Sequence, residues 1–242
     1  MKVTLISHSQ LSEEYKKSLT TEVPTDGQAI AMTCIRTCYS PNKPSEIVNL
    51  EGERYFKSKA TDGKEGSEAD RLIRFIVSSG HTSTLESITF TFAVEGVSRA
   101  LLSQLTRHRA GFSYSVQSQR YVRMGSDDKI GGFDYVIPEK VDDWEGSAER
   151  LYTFEKLMQD IQIGYDKLRK LGVPAEDARS VLPNAACTNL VLTVDLRALL
   201  DFYHKRQAGK GAQQEITVLA EELKNRVIEV ESWTESFFGG GN

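Results

Sequence analysis

Residues 88–109, ITFTFAVEGVSRALLSQLTRHR, decide the fold. Apolar and polar side chains alternate over 88–95, and the residues are β-branched or aromatic, which predicts a strand. Ser98 can cap a helix that runs on through ALLSQLTRHR, with one face in a core. Outward from this unit, TNLVLTV (188–194) predicts an apolar strand and residues 2–7 a first or edge strand. Residues 112–123 alternate weakly and read as extended, and FDYVIP (133–138) reads as a short strand that a proline ends. Helices are predicted over 28–39, from a Ser67 cap through RLIRFIVSS to Gly80, and over 144–171. The last of these carries Leu151, Phe154, Leu157, Ile161 and Tyr165 on one face. Pro174 starts a short helix that carries Arg179. Asp195 begins another that ends at Arg206, and 212–231 is the last long helix. Residues 41–66, with two prolines and KATDGKEGSEAD, read as a mobile polar loop and a candidate lid; FFGGGN reads as a frayed tail. Strands and helices mix without a βαβ rhythm, which predicts α+β rather than a doubly wound parallel sheet. No Pro/Gly/Ser-rich linker divides the chain, so residues 1–242 read as one domain.

The same unit delivers a dense cationic cluster. Within residues 107–120, RHRAGFSYSVQSQR, stand Arg107, Arg109 and Arg120, one of the chain's four histidines (His108), and Ser113, Ser115 and Ser118. Guanidinium groups bind phosphate through a planar, two-pronged fork, and hydroxyls add neutral donors around the same anion. A helix C-terminus that attracts cations accounts for Arg107 and Arg109 but not for Ser118 and Arg120. The whole chain is acidic, with 30 Lys and Arg against 34 Asp and Glu. This argues against a general nucleic-acid binder, which is basic over the whole domain. There is no GxGxxG after a strand and no GxxxxGK[ST], so those phosphate loops hold no dinucleotide here. Three cysteines (Cys34, Cys38, Cys187) make neither a disulfide framework nor a zinc site, and no metal centre is predicted. MKVTLISHSQ lacks the apolar core of a signal peptide, and no stretch reaches the ~20 apolar residues of a membrane helix. The expected location is the cytoplasm.

Three further blocks gain meaning beside that cluster. In GHTSTLES (80–87), His81 follows a helix-ending glycine, and Ser83 and Glu86 have the spacing of a capping box. Alone, His81 reads as a structural histidine. In DLRALLDFYHKR (195–206), Asp195, Arg197, Asp201, His204 and Arg206 share one helix and alone read as a salt-bridged surface; Arg179 alone reads as surface charge.

Together these blocks resemble the flavin-dependent thymidylate synthases. The hallmark of that family is Arg-His-Arg, a spacer, then Ser and a nearby Arg; here these are Arg107, His108, Arg109, Ser118 and Arg120. Gln104 precedes the triplet as in the family. GHTSTLESITFTF (80–92), Arg179 to Pro183, and Arg206 followed by AQQE (212–215) match further blocks, so the likeness covers roughly residues 30–216. The chain departs from the pattern in places. Positions 110–117 make the spacer one residue longer than usual. Ser118 is preferred over Ser115 as the motif serine because SQRY begins there. Asp195 and Asp201 stand where the family often has Asn, and Lys210 and Gly211 lie where a histidine is common.

The resemblance implies a thymidylate-synthase-complementing-like fold, with a central, mostly antiparallel sheet flanked by long helices, in a homotetramer whose sites are shared between chains. It implies methylation of dUMP to dTMP, with methylenetetrahydrofolate as carbon donor and NADPH-reduced FAD as hydride source. It places Gln104, Arg107, Gln117, Ser118, Gln119, Arg120, Arg179 and Arg206 at dUMP. Arg206 is the catalytic residue, polarising the uracil ring. It places His81, Ser83, Glu86, Arg107, His108, Arg109, Asp195, Arg197 and Asp201 at the flavin, with His81 also near the folate. No cysteine falls in these blocks, so no protein thiol attacks the nucleotide. Two other readings stand beside this one: a flavoprotein of this type with lost or altered activity, and a nucleotide- or nucleic-acid-binding module built on the same arginines. Neither nucleic acid nor membrane is an expected partner.

Overall fold

The structure, a computed structural model, describes residues 1–142 and 147–239. Its elements in chain order are β1 (Lys2–His8), α1 (Glu13–Ser18), α2 (Asp26–Tyr39), α3 (Ile47–Lys57), α4 (Glu68–Ser78), β2 (Thr89–Ser98), α5 (Arg99–Leu105) and β3 (Phe112–Val116). Then come α6 (Ser147–Lys170), α7 (Ala175–Ala178), β4 (Cys187–Asp195), α8 (Leu196–Arg206), α9 (Gln214–Val230) and α10 (Glu235–Phe238). The four strands form one sheet in the order β1-β2-β4-β3, with every pair antiparallel.

The two central strands alternate as the sequence predicts. Phe90, Phe92 and Val94 of β2 are fully buried and stand opposite Val194, Leu192 and Leu190 of β4. The other face carries a Thr91–Thr193 hydroxyl pair at 3.0 Å and a part-exposed Val191. A sheet wetted on one face is the usual antiparallel arrangement. Helices α2, α3, α4, α8 and α9 cover the buried face with Met32, Ile35, Ile47, Ile73, Leu199 and Leu219, all without exposed surface. A second, smaller cluster gathers Met124, Phe133, Met158, Tyr165, Ala178 and Ala186 around α6.

Local signals fix several ends. Ser67 and Asp70 form a reciprocal capping box at the start of α4. Gly80, at φ +80°, ends that helix in the left-handed region where glycine has no Cβ to clash. The Ser98 hydroxyl accepts from the Leu101 N–H, while its own N–H and hydroxyl donate to Glu215 at 2.7 and 2.5 Å. That carboxylate ties the start of α9 to the β2–α5 corner.

Several expectations need correction. Residues 41–66 are not one loop, because α3 lies inside them. Ile47, Val48, Tyr55 and Phe56 are buried at helical spacing, which leaves 41–43 and a turn-rich strap over 58–67. Helix α5 stops at Leu105, so Arg107 to Arg109 lie just past it. The Tyr114 hydroxyl sits 2.9 and 2.6 Å from the Leu105 and His108 carbonyls and takes over the role of a further helical turn. Extension after Gly111 lasts only to Val116; Tyr121 and Val122 then donate back to the Ser118 carbonyl. FDYVIP is no strand. A single bridge joins Tyr135 to Ala186, just ahead of β4, where the Val136 N–H donates to the Ala185 carbonyl and the Cys187 N–H to the Asp134 carbonyl. On α6, Leu157 faces solvent and Met158 takes the core position. Residues 144–146 of the predicted helix lie outside the described residues. The tail is not wholly frayed: Phe238 is buried against Tyr203, and 240–242 lie outside the described residues.

Candidate functional site

The site begins at the N-terminus of α8. Asp195 leaves β4, and its carboxylate accepts the Ala198 N–H at 2.8 Å, capping the helix. Burial raises the Asp195 pKa, against the lowering effect of that N–H. Gly111 packs directly on this cap: at φ +72° a Cβ would stand 2.2 Å from an Asp195 oxygen and 2.5 Å from Ala198. Any side chain here would force β3 and the α8 N-terminus apart. Two residues on, Arg197 makes an ion pair with Glu86. The expected Ser83–Glu86 capping box is therefore absent. The Glu86 carboxylate reaches across to α8, and only its backbone N–H returns to the Ser83 carbonyl.

Glu86, Ala110, Gly111, Asp195, Arg197 and Asp201 share the wall of a cleft of about 1020 Å³. Lys64, Arg74, His204 and Phe237 also line it. Of these, only His204 belongs to a block that the sequence singles out. The strap, α4 and the C-terminal helix carry no motif that announces Lys64, Arg74 or Phe237. Ser83 is exposed beside this wall. His81 stands apart from it, with Nδ1 3.0 Å from the Tyr39 hydroxyl. Arg107 and Arg109 are exposed, and their side chains have no hydrogen-bonding or ionic partner among the described residues. They flank a His108 that is held firmly. Arg206 donates from Nε and Nη2 to His108 Nε2 at 3.2 and 3.1 Å, and Phe202 meets the imidazole edge-on at 4.9 Å. Burial first, then the Arg206 charge, lowers the His108 pKa. Because a guanidinium only donates, Nε2 is the acceptor here, and the ring proton belongs on Nδ1. The Arg206 Nη1 has no partner among the described residues.

The expected nucleotide residues fall into two groups within one chain. Gln119 and Arg179 line a second cleft of about 490 Å³ together with Arg99, Glu176, Asp177 and Ser180, and Arg120 pairs with Glu176 at 2.8 Å. Ser118 opens the turn that presents them; its hydroxyl accepts the Arg120 N–H at 3.2 Å, whereas Ser115 lies back on β3. Gln119 is buried, and its Nε2 has no partner among the described residues, a donor waiting for an acceptor. Gln117 accepts from Asn189 at 3.1 Å, a link to β4 that no motif announces. The second group surrounds the end of α5: Gln104, bonded to Gln213 at 2.6 Å, then Arg107, His108 and Arg206. No hydrogen bond or ion pair joins the two groups among the described residues.

No cysteine lines either cleft. Cys34 donates to the Ser87 hydroxyl at 3.4 Å, and burial raises the Cys187 pKa. No helix among the described residues is long and apolar enough to cross a membrane.

The family described as "thymidylate synthase complementing protein" matches residues 18–231. A flavin-dependent thymidylate synthase of Geobacter sulfurreducens is 45% identical over 157 residues, which cover 65% of this chain and 64% of that relative. One of Clostridium tetani is 33% identical over 225 residues, covering 86% of this chain and 81% of the relative. The fold is similar to that of a UMP/dUMP methylase, PolB, of Streptomyces cacaoi bound with 5-Br dUMP. The TM-score is 0.72 at 20% identity, over 98% of this chain and 94% of the other. The protein described here belongs to the thymidylate synthase complementing family.

Proposed function

We propose that this protein is a flavin-dependent thymidylate synthase that methylates dUMP to dTMP, with methylenetetrahydrofolate as carbon donor and NADPH as reductant of FAD. The observation that carries this reading is the first cleft. Glu86, Asp195, Arg197 and Asp201 come from two distant parts of the sequence, yet they wall one cavity of dinucleotide size. The donor set fits FAD. Arg197 stands in the cleft wall, the Arg107 and Arg109 side chains, unpartnered among the described residues, adjoin it at Ala110 as cations for a pyrophosphate, and Glu86 and Asp195 can accept from ribose hydroxyls. When bound, the flavin supplies the hydride chemistry; the chain's own residues bind and orient.

Ser118 and Arg120 are assigned to the dUMP phosphate, Gln119 and Arg179 to its polar edges, and Gln104 and Gln117 to the rim. Arg206 is fixed by His108 in a pose that leaves Nη1 to donate to the uracil edge. A fixed cation there stabilises negative charge that develops on the ring as C5 becomes nucleophilic. The neutral His108 adds no competing charge. The two residue groups of one chain complete a site when chains assemble, which supports a homotetramer with shared sites.

The test is a spectrum and an assay. Purified protein, reconstituted with FAD, is expected to show flavin absorbance and to form dTMP from dUMP, methylenetetrahydrofolate and NADPH. A protein that binds no flavin overturns the proposal. One that binds flavin and nucleotide but never forms dTMP is a relative with altered chemistry.

A further inference from the structure

The first cleft contains charge that the flavin assignment does not use. Arg197 is matched by Glu86, and Asp201 by Lys205 at 2.7 Å. Arg74, on α4, forks onto Asp62 with contacts of 2.9, 3.0 and 3.1 Å and reaches the Glu65 carbonyl at 3.3 Å. Its side chain is only 16% exposed, so the guanidinium forms a rigid part of the wall. The Asp62 carboxylate also accepts the Lys64 N–H at 3.1 Å and fixes the turn that carries Lys64. The Lys64 ammonium has no hydrogen-bonding or ionic partner among the described residues, yet the residue lines the cleft. His204 lines it too, and its Nδ1 is buried without a partner among the described residues. An unmatched cation on a braced turn, beside an unmet polar atom, describes a binding surface better than a solvated loop.

We propose that Lys64, braced by the Asp62–Arg74 pair and facing the same cleft as His204, forms a second anion subsite that takes a phosphate of a bound dinucleotide. This rests on the flavin reading of the cleft. The phosphate has two possible sources: the pyrophosphate of FAD, or a phosphate of the nicotinamide dinucleotide that reduces it. Binding measurements on flavin-stripped protein with FAD, and calorimetry of the FAD-loaded protein with NADP+ and NAD+, separate them. Lys64→Glu, at an exposed position without side-chain partners, is compared with Lys64→Arg and with Lys17→Glu on α1, outside the cleft.

Lys64→Glu is expected to weaken at least one of these ligands by about tenfold or more, the scale of one charge-assisted bond, while Lys64→Arg and Lys17→Glu bind as the natural protein does. Loss for FAD assigns the flavin pyrophosphate. Loss for NADP+ alone assigns the 2′-phosphate, and equal loss for NADP+ and NAD+ the nicotinamide pyrophosphate. Unchanged binding of all three by Lys64→Glu, or an equal loss in Lys64→Arg, overturns the subsite and leaves the flavin reading intact. If the natural protein itself takes up no FAD, both fall.

Discussion

At the scale of single residues, Arg206 and His108 act as one unit. Arg206→Ala is expected to abolish dTMP formation while FAD remains bound, measured by product assay and flavin absorbance on the same sample. Near-normal turnover would remove Arg206 from the chemistry. Arg206→Lys keeps the charge, but its donors sit on one nitrogen and cannot replace a planar fork that holds His108 with two nitrogens and presents a third, so it is expected to lose most activity as well. His108 makes a pH prediction with a definite sign. Its folded pKa lies below the unfolded value of about 6.5, so the folded state resists protonation. The stability this contributes is complete above about pH 6.5 and is lost as pH falls through the depressed folded value. Denaturant melts of the natural protein and His108→Gln between pH 5 and 8 check it: the natural protein is expected to weaken more on acidification. Parallel curves would show that His108 is not the group responsible. The cysteines predict the opposite kind of result. With none in either cleft, replacing Cys34, Cys38 and Cys187 by Ser is expected to leave measurable dTMP formation in folded protein, and complete loss would reopen a thiol mechanism.

At the scale of elements, the junctions carry the site more than the helices do. The Arg-His-Arg triplet is placed by a seven-residue helix that must stop at Leu105, and Tyr114 makes it stop. Burial raises the Tyr114 pKa well above that of a free phenol, so it remains a donor throughout the working pH range. Tyr114→Phe is expected to cost about 1–2 kcal/mol, the price of one buried hydrogen bond, in chemical denaturation. Because the triplet loses its anchor, flavin affinity should fall with it; unchanged stability and affinity would show that the helix ends without Tyr114. Glu215 holds the other end of α5, and its family match in AQQE acquires a structural meaning here. The strap over 58–67 shows where pattern reading misleads. Prolines and lysines around α3 suggest a single loop, but the pairs Ile47–Val48 and Tyr55–Phe56 recur two turns apart and bury against α2 and α4.

At the scale of the whole molecule, two half-sites on one chain predict complementation. Arg120→Ala and Arg206→Ala, each expected to be inactive alone, should regain activity when refolded together, because mixed assemblies hold sites free of both substitutions. No recovery, with mixing verified by mass, would place each site within one subunit. The sequence by itself determined the central strands, the Ser67, Ser98 and Asp195 caps, and the residue types of an anion-binding site. These depend on short-range periodicity and capping chemistry, which neighbouring residues dictate. It did not determine where the flanking pieces stop, as Leu105, Val116 and Leu157 show. A helix end or a core position is settled by which distant group, such as Tyr114 or the α6 cluster, satisfies its carbonyls or covers its face. Nor could it reveal that Lys64, Arg74 and His204 share a wall with Glu86 and Arg197, since their meeting depends on how α4, α8 and the strap pack together. Only tertiary structure decides contacts between groups so far apart along the chain, because packing and hydrogen-bond satisfaction in three dimensions, not local propensity, set which surfaces face one another.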